Sequence, residues 1–356
     1  MSEKKYEVVA KVGEGSFGSV FLVRQKTTDS GSQVLALKRI KKTLLSSDSD
    51  VKHTMTERNI LAQISSPYVV KLHQTWQDDE FLYFLMDYHP GGDLKTLLMN
   101  AAPLKTRVAR FYMAEILAAV WILHGSGIIH RDLKPENFLI DSSGHLIVID
   151  FGLSKDMFED EQKWMNTLNE LEKRIKKKKY FTLVGTPNYI SPAIASRKGY
   201  GKYVDYWSLG CILFEMLTGN VLFEGKSPKE TLYNVMKFSL KEFKNPVNPE
   251  TNKPYIKESA FDFIKLMLDS SNKKSEKKFI KSIKGHEFFR DIQDWDTIRQ
   301  DLKPPFVPEV EDPFDISYFD TSYFNPNDVE GVLTPKIRGG KKPNQRFIGF
   351  TFKAMD

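Results

Sequence analysis

The most informative stretch of this sequence is Ile129-His-Arg-Asp-Leu-Lys-Pro-Glu-Asn137, which is followed by Asp150-Phe-Gly152. Asp132 can accept the proton of an attacking hydroxyl group, while Asn137 and Asp150 offer the hard oxygen ligands that Mg²⁺ prefers. Lys134 adds positive charge where a transferred phosphoryl group becomes more anionic. The two segments therefore predict a phosphoryl-transfer site.

A glycine-rich segment, Gly13-Glu-Gly-Ser-Phe-Gly-Ser-Val20, lies nearer the N-terminus between two predicted strands. Backbone without side chains can close over phosphate groups and turn its N–H groups toward them. The segment alone is weak support, because glycine turns are common in hairpins. A dinucleotide-binding interpretation fails, since a strand and not a helix follows the glycines.

Lys38 ends the apolar segment Leu35-Ala-Leu-Lys38. An ammonium group in such a strand needs an anionic partner, because burying it unpaired is costly. Glu57 on the next predicted helix and the phosphates of a nucleotide would supply that partner. A surface lysine pointing outward is the alternative for this segment alone. With the other three motifs in the same order, the set matches the protein kinase signature.

Composition favours a soluble protein with two lobes or domains. The chain has 356 residues, is 41% hydrophobic and 28% charged, and carries a formal charge of +6. We expect no membrane span, because no apolar run reaches the ~20 residues that a spanning helix needs. The charged N-terminus shows no secretory signal, and the single cysteine, Cys211, favours a reducing compartment, cytoplasmic and/or nuclear.

Hydrophobic periodicity predicts a strand-rich first part and a helical second part. A helix is expected at 51–64 and a long amphipathic helix from Val108 to Leu123. Further helices are expected at 204–218, 228–238 and 258–268. The last 60 residues, rich in proline, suggest an extended tail over a folded body. The predicted strands are 6–12, 19–25, 33–40, 69–76 and 81–87.

Together these motifs resemble a eukaryotic protein kinase of the AGC group, most similar to the NDR/LATS branch. The resemblance implies an α+β, bilobal fold with an N-lobe at 1–88, a C-lobe at 89–295 and an AGC-type tail at 296–356. The activation segment would span 150–193. Further segments that carry the resemblance are 57–61, 185–190, 204–210, 304–308, 317–320 and the hydrophobic motif 347–352.

The resemblance also implies ATP and Mg²⁺ as ligands. Asp132, Lys134 and Asn137 would be catalytic, and Asn137 and Asp150 would hold the metal. Met86 would be the gatekeeper next to the hinge. The residues expected to contact the nucleotide are Val12, Gly13, Gly15, Ser16, Gly18, Val20, Ala36, Lys38, Glu57, Met86, Asp87, His89, Asp93 and Leu139.

Protein serine and threonine residues are the substrates that this form of the catalytic loop implies. Asp93, Glu136 and Glu215 match positions where AGC relatives place carboxylates that read basic residues upstream of the target hydroxyl, since acidic pockets bind guanidinium groups bidentately. Thr186 is the fourth expected substrate-recognition residue. A polar position on a helix is the plainer interpretation of Glu215.

Regulation is expected through phosphorylation of Thr182 in the activation segment and of Thr351 in the tail. A phosphate adds about −1.5 to −2 charge, and Arg131 and Lys155 match the positions that would bind it at Thr182. An upstream kinase would phosphorylate Thr351. A Mob-type coactivator is doubtful, because the N-terminal extension that binds Mob is absent from the sequence.

The long activation segment contains a predicted amphipathic helix with an apolar stripe and a basic end, Lys173–Lys179. This helix could compete with the tail motif for a groove on the small lobe. It could equally pack permanently on the body, or be a loop with a solvated lysine run. Contact with anionic lipid or nucleic acid would be accessory at most, and we consider nucleic acid an unlikely partner.

One departure concerns Ser191-Pro-Ala193, where the group usually has Ala-Pro-Glu. The usual arginine partner is also missing from Asn272–Lys278. Losing both members of a buried pair can be nearly neutral, so the double absence suggests a repaired site. We therefore expect an active kinase. The alternative is a pseudokinase scaffold that binds partners through its tail and basic loop.

Overall fold

The computed structural model describes residues 6–15, 18–26, 33–156, 185–197, 199–248, 250, 252–270, 275–320, 329, 331–333 and 345–354. These residues form two compact units. The first contains the described parts of 1–92, 140–152 and 307–356, and the second those of 93–139 and 153–306. One unit is rich in strands and the other is helical, which confirms the α+β class. The three consecutive domain ranges stay a prediction.

The first unit is built on an antiparallel sheet in the order β1-β2-β3-β5-β4-β10. The five strands expected from the periodicity are present, with their ends shifted by a few residues. The sixth strand, β10, comes from the C-terminal tail and pairs with β4 through Phe352 opposite Thr75. The strands are β1 Tyr6–Gly15, β2 Gly18–Gln25, β3 Val34–Lys41, β4 Leu72–Gln77, β5 Phe81–Asp87 and β10 Phe352–Lys353.

The sheet register places four of the predicted nucleotide residues on one face. Val20 pairs with Lys38 across β2 and β3, and Ala36 pairs with Met86 across β3 and β5. Paired residues share a face, and residues two apart on a strand also share it. All four side chains therefore stand on the same side of the sheet.

The opposite face of the sheet is covered by the tail. Leu35 and Leu37 of β3 are buried there together with Val332 and Leu333. Tyr83 of β5 belongs to the same apolar cluster. These contacts bury the apolar residues of this face against the tail. The expectation that the tail lies over a folded body is met by these described residues of the first unit.

Helix α1, Asp48–Gln63, carries Glu57 to the sheet. Its N-terminus is fixed by a capping box, in which the Ser47 side chain accepts from the Asp50 N–H and the Asp50 carboxylate accepts from the Ser47 N–H. Glu57 lies in the buried part of the helix and is 4% exposed. The predicted bounds, 51–64, missed the first turn, which is polar.

The second unit has a core of two helices whose residues are mostly buried, α3 (Thr106–Gly125) and α5 (Tyr203–Thr218). Within the described residues, α3 is long and apolar enough to cross a membrane, but 72% of that window is buried inside the protein. A core helix of a folded domain explains this pattern. The helices of this unit are α2 Leu94–Ala101, α3 Thr106–Gly125, α4 Pro192–Ala195, α5 Tyr203–Thr218, α6 Pro228–Lys237, α7 Glu258–Leu268, α8 Glu276–Lys284 and α9 Ile298–Asp301.

Short strands position the loops that carry the motifs. β6, Ile128–Ile129, pairs with β9, Lys155–Asp156, so the segment before His130 is tied to the segment after Gly152. The strands β7, Phe138–Ile140, and β8, Leu146–Val148, follow the catalytic loop. Hydrophobic periodicity did not predict these short strands, nor the helices α2, α4, α8 and α9.

Candidate active site

In the first unit, Lys38 and Glu57 form an ion pair. The Lys38 Nζ lies 2.6 Å from Glu57 Oε1, and the Glu57 side chain is 5% exposed. Burial opposes the ammonium form, but the carboxylates of Glu57 and Asp150 outweigh it and raise the pKa of Lys38. The pair therefore keeps a positive charge on the sheet face that also carries Val20, Ala36 and Met86.

Asp150 belongs to the same unit and is exposed. Its Oδ1 accepts a hydrogen bond from Gly152 N–H at 3.0 Å. Its φ is +49°, a left-handed conformation that residues other than glycine rarely adopt. Such strain is concentrated at functional sites. The turn thus presents a carboxylate whose charge is felt at Lys38 and Glu57.

The glycine-rich segment forms the β1–β2 hairpin, with Gly13 opposite Val20 and Gly15 opposite Gly18. A Cβ on Gly13 or Gly15 would meet its nearest atoms at 3.6 Å, an ordinary contact distance. A Cβ on Gly18 would collide with the carbonyl of Arg39. Of these three glycines, packing within the protein requires only Gly18. Gly13 and Gly15 leave the backbone without side chains, as a phosphate-binding loop needs.

In the second unit, Asp132 is held by the residues around it. Its Oδ1 accepts hydrogen bonds from the N–H and the hydroxyl of Thr186, each at 2.8 Å. The Lys134 Nζ lies 3.2 Å from Oδ2. Gly185 has φ +103°, and a Cβ there would come within 2.7 Å of the Arg131 carbonyl oxygen. Only glycine allows this part of the activation segment to approach the catalytic loop so closely, so Gly185 places Thr186 on Asp132.

Asn137 is oriented by Asp132, because its Nδ2 donates to the Asp132 carbonyl oxygen at 2.8 Å. This bond leaves the amide oxygen as the ligand atom that Asn137 can offer. Among the described residues no three His, Cys, Asp or Glu side chains gather into a metal site. Mg²⁺ is usually bound by one or two protein oxygens together with substrate phosphates. Asn137 in the second unit and Asp150 in the first each carry a side-chain oxygen of the kind that Mg²⁺ prefers.

A buried carboxylate, Asp205, fixes the backbone of the catalytic loop. It accepts from His130 N–H at 2.9 Å, Arg131 N–H at 2.8 Å and His124 Nε2 at 2.8 Å. Burial works against ionisation, but these donors and the nearby histidines hold the pKa of Asp205 below its ordinary value. Arg131 has φ +69°, so this is a second strained non-glycine residue at a predicted site position.

The guanidinium of Arg131 is engaged within the second unit. It donates to the carbonyl oxygens of Leu153 at 2.7 Å and Ser154 at 3.2 Å, and to the Tyr200 hydroxyl at 3.0 Å. Lys155, the second predicted phosphate ligand, lies on β9 opposite Ile129. Thr182, the phosphorylation site that both would serve, lies outside the described residues, as do Ser16 and the insert at 157–184.

The three predicted substrate carboxylates differ in what they contact. Asp93 is the N-cap of α2, where its oxygens accept from Thr96. Glu215 is buried and pairs with Lys95. Glu136 is exposed, although desolvation and the charge of Glu215 raise its pKa. The sequence analysis did not predict a role for Lys95. The signal available was its charge, which interrupts the largely apolar run Leu94–Leu98.

The remaining predicted nucleotide positions differ in their surroundings. The Asp87 carboxylate accepts a hydrogen bond from His73, whose Nε2 lies 2.6 Å from Oδ1. This contact outweighs burial and lowers the pKa of Asp87. Leu139 forms a bridge with Asp93 in the second unit. Val12 is buried beside Leu22, and Met86, His89 and Leu139 are half-buried.

The tail motif docks on the sheet and α1 of the first unit. Phe347 and Phe350 are 1% and 0% exposed. Arg58, next to Glu57, donates to the carbonyl oxygens of Phe350 at 3.1 Å and Thr351 at 3.2 Å. Thr351, the predicted phosphorylation site of the motif, is exposed. The docking expected for this motif is therefore present.

The departure at Ser191-Pro-Ala193 falls at the start of α4. A cavity of about 250 Å³ lies there, lined by Ser191, Trp207, Met267 and Phe279 among other described residues. Lys202 and Glu276, which also line it, form an ion pair at 2.9 Å. Position 193 itself is alanine and contributes no carboxylate that would need an arginine partner.

Comparisons with known proteins agree on a family. A model of the protein kinase domain matches residues 6–289. The serine/threonine-protein kinase sid2 of Schizosaccharomyces pombe is 33% identical over 99% of this chain and 62% of its own length. The kinase CBK1 of Pneumocystis carinii is 33% identical over the whole chain and 75% of its own length.

A third relative, ribosomal protein S6 kinase alpha-1 of Homo sapiens, is 36% identical over 98% of this chain and 44% of its own length. The chain thus spans less than two thirds of several curated relatives, including 62% of sid2 and 61% of ppk35. The relatives are AGC-group kinases, and NDR/LATS-like members are among them. The family expected from the sequence motifs is confirmed.

Proposed function

Because the chain belongs to the protein kinase family, we propose that it transfers the γ-phosphoryl group of ATP to serine and threonine hydroxyl groups of proteins. The observation that carries this proposal is the environment of Asp132. A single carboxylate, held by both donors of Thr186 and flanked by the Lys134 ammonium, is poised to accept a proton from an incoming hydroxyl.

Each residue then has a defined task. Lys38, kept charged by Glu57, binds the phosphates of ATP, and the bare backbone at Gly13 and Gly15 covers them. Asp132 accepts the hydroxyl proton, and Lys134 stabilises the charge that develops on the phosphoryl oxygens.

Mg²⁺ is the metal that the family typically uses, and Asn137 and Asp150 would hold it. When bound, it neutralises charge on the phosphates. The side-chain amide of Asn137 is already oriented by the Asp132 carbonyl, and Asp150 is exposed on its turn. These residues fit the metal by the chemistry of their oxygen atoms.

Substrates with basic residues upstream of the hydroxyl are the finer part of the proposal. Glu136 is exposed close to Lys134 on the catalytic loop, and its carboxylate is suited to a guanidinium group. Glu215 and Asp93 lie in the same unit. Nucleic acid has no place in this proposal.

Regulation by phosphate forms a further part of the proposal. We infer that phosphorylation of Thr351 by an upstream kinase strengthens tail docking, since Arg58 already contacts the Thr351 carbonyl oxygen. Phosphorylation of Thr182 would be read by Arg131 and Lys155. Mass measurement of both threonines before and after activation tests this, and unchanged activity after loss of both phosphates contradicts it.

An intracellular location, cytoplasmic and/or nuclear, also remains a proposal. It is supported by Cys211 being the single cysteine of the sequence. Fluorescent tagging in cells tests it, and secretion of the chain contradicts it.

A phosphorylation assay tests the proposed activity. Wild-type protein with Mg²⁺ and ATP should phosphorylate a serine or threonine peptide that carries upstream arginines, and should leave the alanine and tyrosine versions unmodified. The pseudokinase scaffold finds no support in the relatives, all of which are named kinases. If protein that melts cooperatively transferred phosphate to none of the peptides, the pseudokinase scaffold would again be the better interpretation.

A further inference from the structure

Glu215 is a buried carboxylate whose two oxygens both have partners inside the second unit. Lys95 Nζ lies 2.6 Å from Oε1, and the Tyr189 hydroxyl donates to Oε2 at 2.6 Å. Glu215 is 3% exposed, whereas the Lys95 side chain keeps 30% of its surface in solvent. The chain therefore neutralises this carboxylate itself, with an ammonium brought in from α2.

A guanidinium binds a carboxylate best through two parallel hydrogen bonds that use both oxygens. At Glu215 one oxygen is taken by an ammonium and the other by a phenol. An arriving arginine must first displace Lys95, so binding exchanges one cation for another. Such an exchange gains far less than filling an empty acidic pocket, because no unpaired buried charge is relieved.

Of the other two predicted substrate carboxylates, Asp93 and Glu136, only Glu136 is available to bind a basic residue of the substrate. Asp93 uses its oxygens to cap α2, accepting from the Thr96 N–H at 2.8 Å and from the Thr96 hydroxyl at 3.2 Å. Glu136 is exposed and feels the positive charges of Lys134 and Lys95. Of the three, Glu136 alone combines exposure with a location beside the catalytic Asp132.

We propose that Lys95 is a specificity-determining residue that fills the Glu215 pocket in place of a substrate arginine. Substrates are then read by Glu136, and the position that faces Glu215 tolerates residues without charge. This inference rests on the proposed kinase function, because it concerns how that enzyme would select proteins. It predicts that the enzyme prefers a basic residue at fewer upstream positions of the substrate than three available carboxylates would select.

The test uses serine peptides that carry one arginine moved stepwise along the upstream positions, with an all-alanine parent. Dissociation constants from fluorescence anisotropy and kcat/KM are measured for wild type, Lys95→Met, Lys95→Arg and the double variant Lys95→Met/Glu215→Gln. Wild type should show an arginine preference at the Glu136 position only. Lys95→Met should gain a second preferred position, with affinity and kcat/KM about tenfold or more above the alanine parent.

The matched variants separate this role from a structural one. Lys95→Arg keeps the cation and should behave like wild type, and the double variant should lose the gain because the buried carboxylate is gone. If Lys95→Met does not fold, Lys95→Gln, which keeps a hydrogen-bond donor, should show the same second position more weakly. An arginine profile that is identical in wild type and in the folded position-95 variant overturns the inference, as does a gain that persists without Glu215.

Failure of the inference differs from failure of the proposed function. Binding is measured without phosphoryl transfer, so a shift of the profile with no transfer by any variant upholds the role of Lys95 and rejects the kinase. Normal phosphoryl transfer with an unchanged arginine profile upholds the kinase function and rejects the role of Lys95.

Discussion

Arg58 donates a hydrogen bond from Nε to the carbonyl oxygen of Phe350 at 3.1 Å, across 292 positions of sequence. Arg58 follows Glu57 on α1, so the tail is bound one residue from the Lys38 partner. The Phe350 ring also lies edge-on against Phe84, with centroids 5.2 Å apart. Lys38 Nζ lies 5.7 Å from the centroid of that same Phe84 ring. The tail motif therefore contacts α1, which carries Glu57, and the Phe84 ring of β5, which lies next to Lys38.

Replacing Phe350 by alanine should lower kinase activity severalfold, because α1 and β5 lose a shared packing partner. Loss of a fully buried phenylalanine typically costs about 3–5 kcal/mol, so the melting temperature should fall as well. Ile348→Ala is the matched control, since Ile348 is 73% exposed in the same motif. Equal activity of the Phe350→Ala and Ile348→Ala proteins would contradict this role for the tail.

Breaking the buried ion pair should damage stability and activity to different extents. Glu57→Gln leaves Lys38 without its nearest anion, and removal of one member of a buried pair typically costs about 3–5 kcal/mol. The double variant Lys38→Met/Glu57→Leu should recover most of the lost melting temperature yet transfer no phosphate. Calorimetry and an ATP assay on the same preparations decide this. Activity in the double variant would remove Lys38 from the mechanism.

The three loop glycines should separate into two kinds. Gly13→Ala and Gly15→Ala should keep the wild-type melting temperature but raise KM for ATP, since a Cβ there meets only ordinary contacts within the protein. Gly18→Ala should lower the melting temperature, because its Cβ collides with the Arg39 carbonyl. Thermal denaturation and ATP titration measure the two effects. If Gly15→Ala melted early with an unchanged KM, the glycine would serve the fold alone.

Much of the candidate site could be predicted because its chemistry is tied to short motifs. Because Lys38 lies in an apolar strand, the sequence predicted a carboxylate partner for it. Glu57 is that partner, with its Oε1 2.6 Å from Lys38 Nζ. The alternating pattern of β3 predicts that Ala36 and Lys38 share a face, and the register adds Val20 and Met86 to it. Local periodicity and the cost of burying charge were sufficient for these residues.

The contacts that sequence reasoning missed depend on how distant elements pack. Lys95 contacts Glu215 across 120 positions of sequence, a pairing that local periodicity does not encode. β10 has two residues, too few to show an alternating pattern. Thr186, expected to contact substrate, hydrogen-bonds Asp132 because Gly185 adopts a positive φ. Each of these needed the tertiary structure.

Stability at low pH should depend on Asp205. Its pKa in the folded protein lies below the ordinary value of 3.8, so the unfolded chain binds the proton more tightly. The stabilisation is therefore complete above pH 3.8 and is lost as the pH falls through the lowered pKa. Asp205→Asn should cost about 2 kcal/mol or more at neutral pH.

Denaturant unfolding of wild type and Asp205→Asn as a function of pH measures this effect. The difference in unfolding free energy should be constant near neutrality and shrink in acid. A difference that grows as the pH falls would show that the carboxylate is not the stabilising form. Lys202→Met, which breaks the exposed pair with Glu276, is a control that should change stability little.

The most direct measurement of the central claim follows the γ-phosphoryl group of isotopically labelled ATP into a serine peptide with upstream arginines. Wild type and Asp132→Asn are compared in single-turnover experiments with Mg²⁺ present. Label should appear on the serine hydroxyl with wild type and be reduced by a factor of about 10² or more with Asp132→Asn. Equal rates for the two proteins would contradict the assignment of Asp132 as the group that accepts the hydroxyl proton.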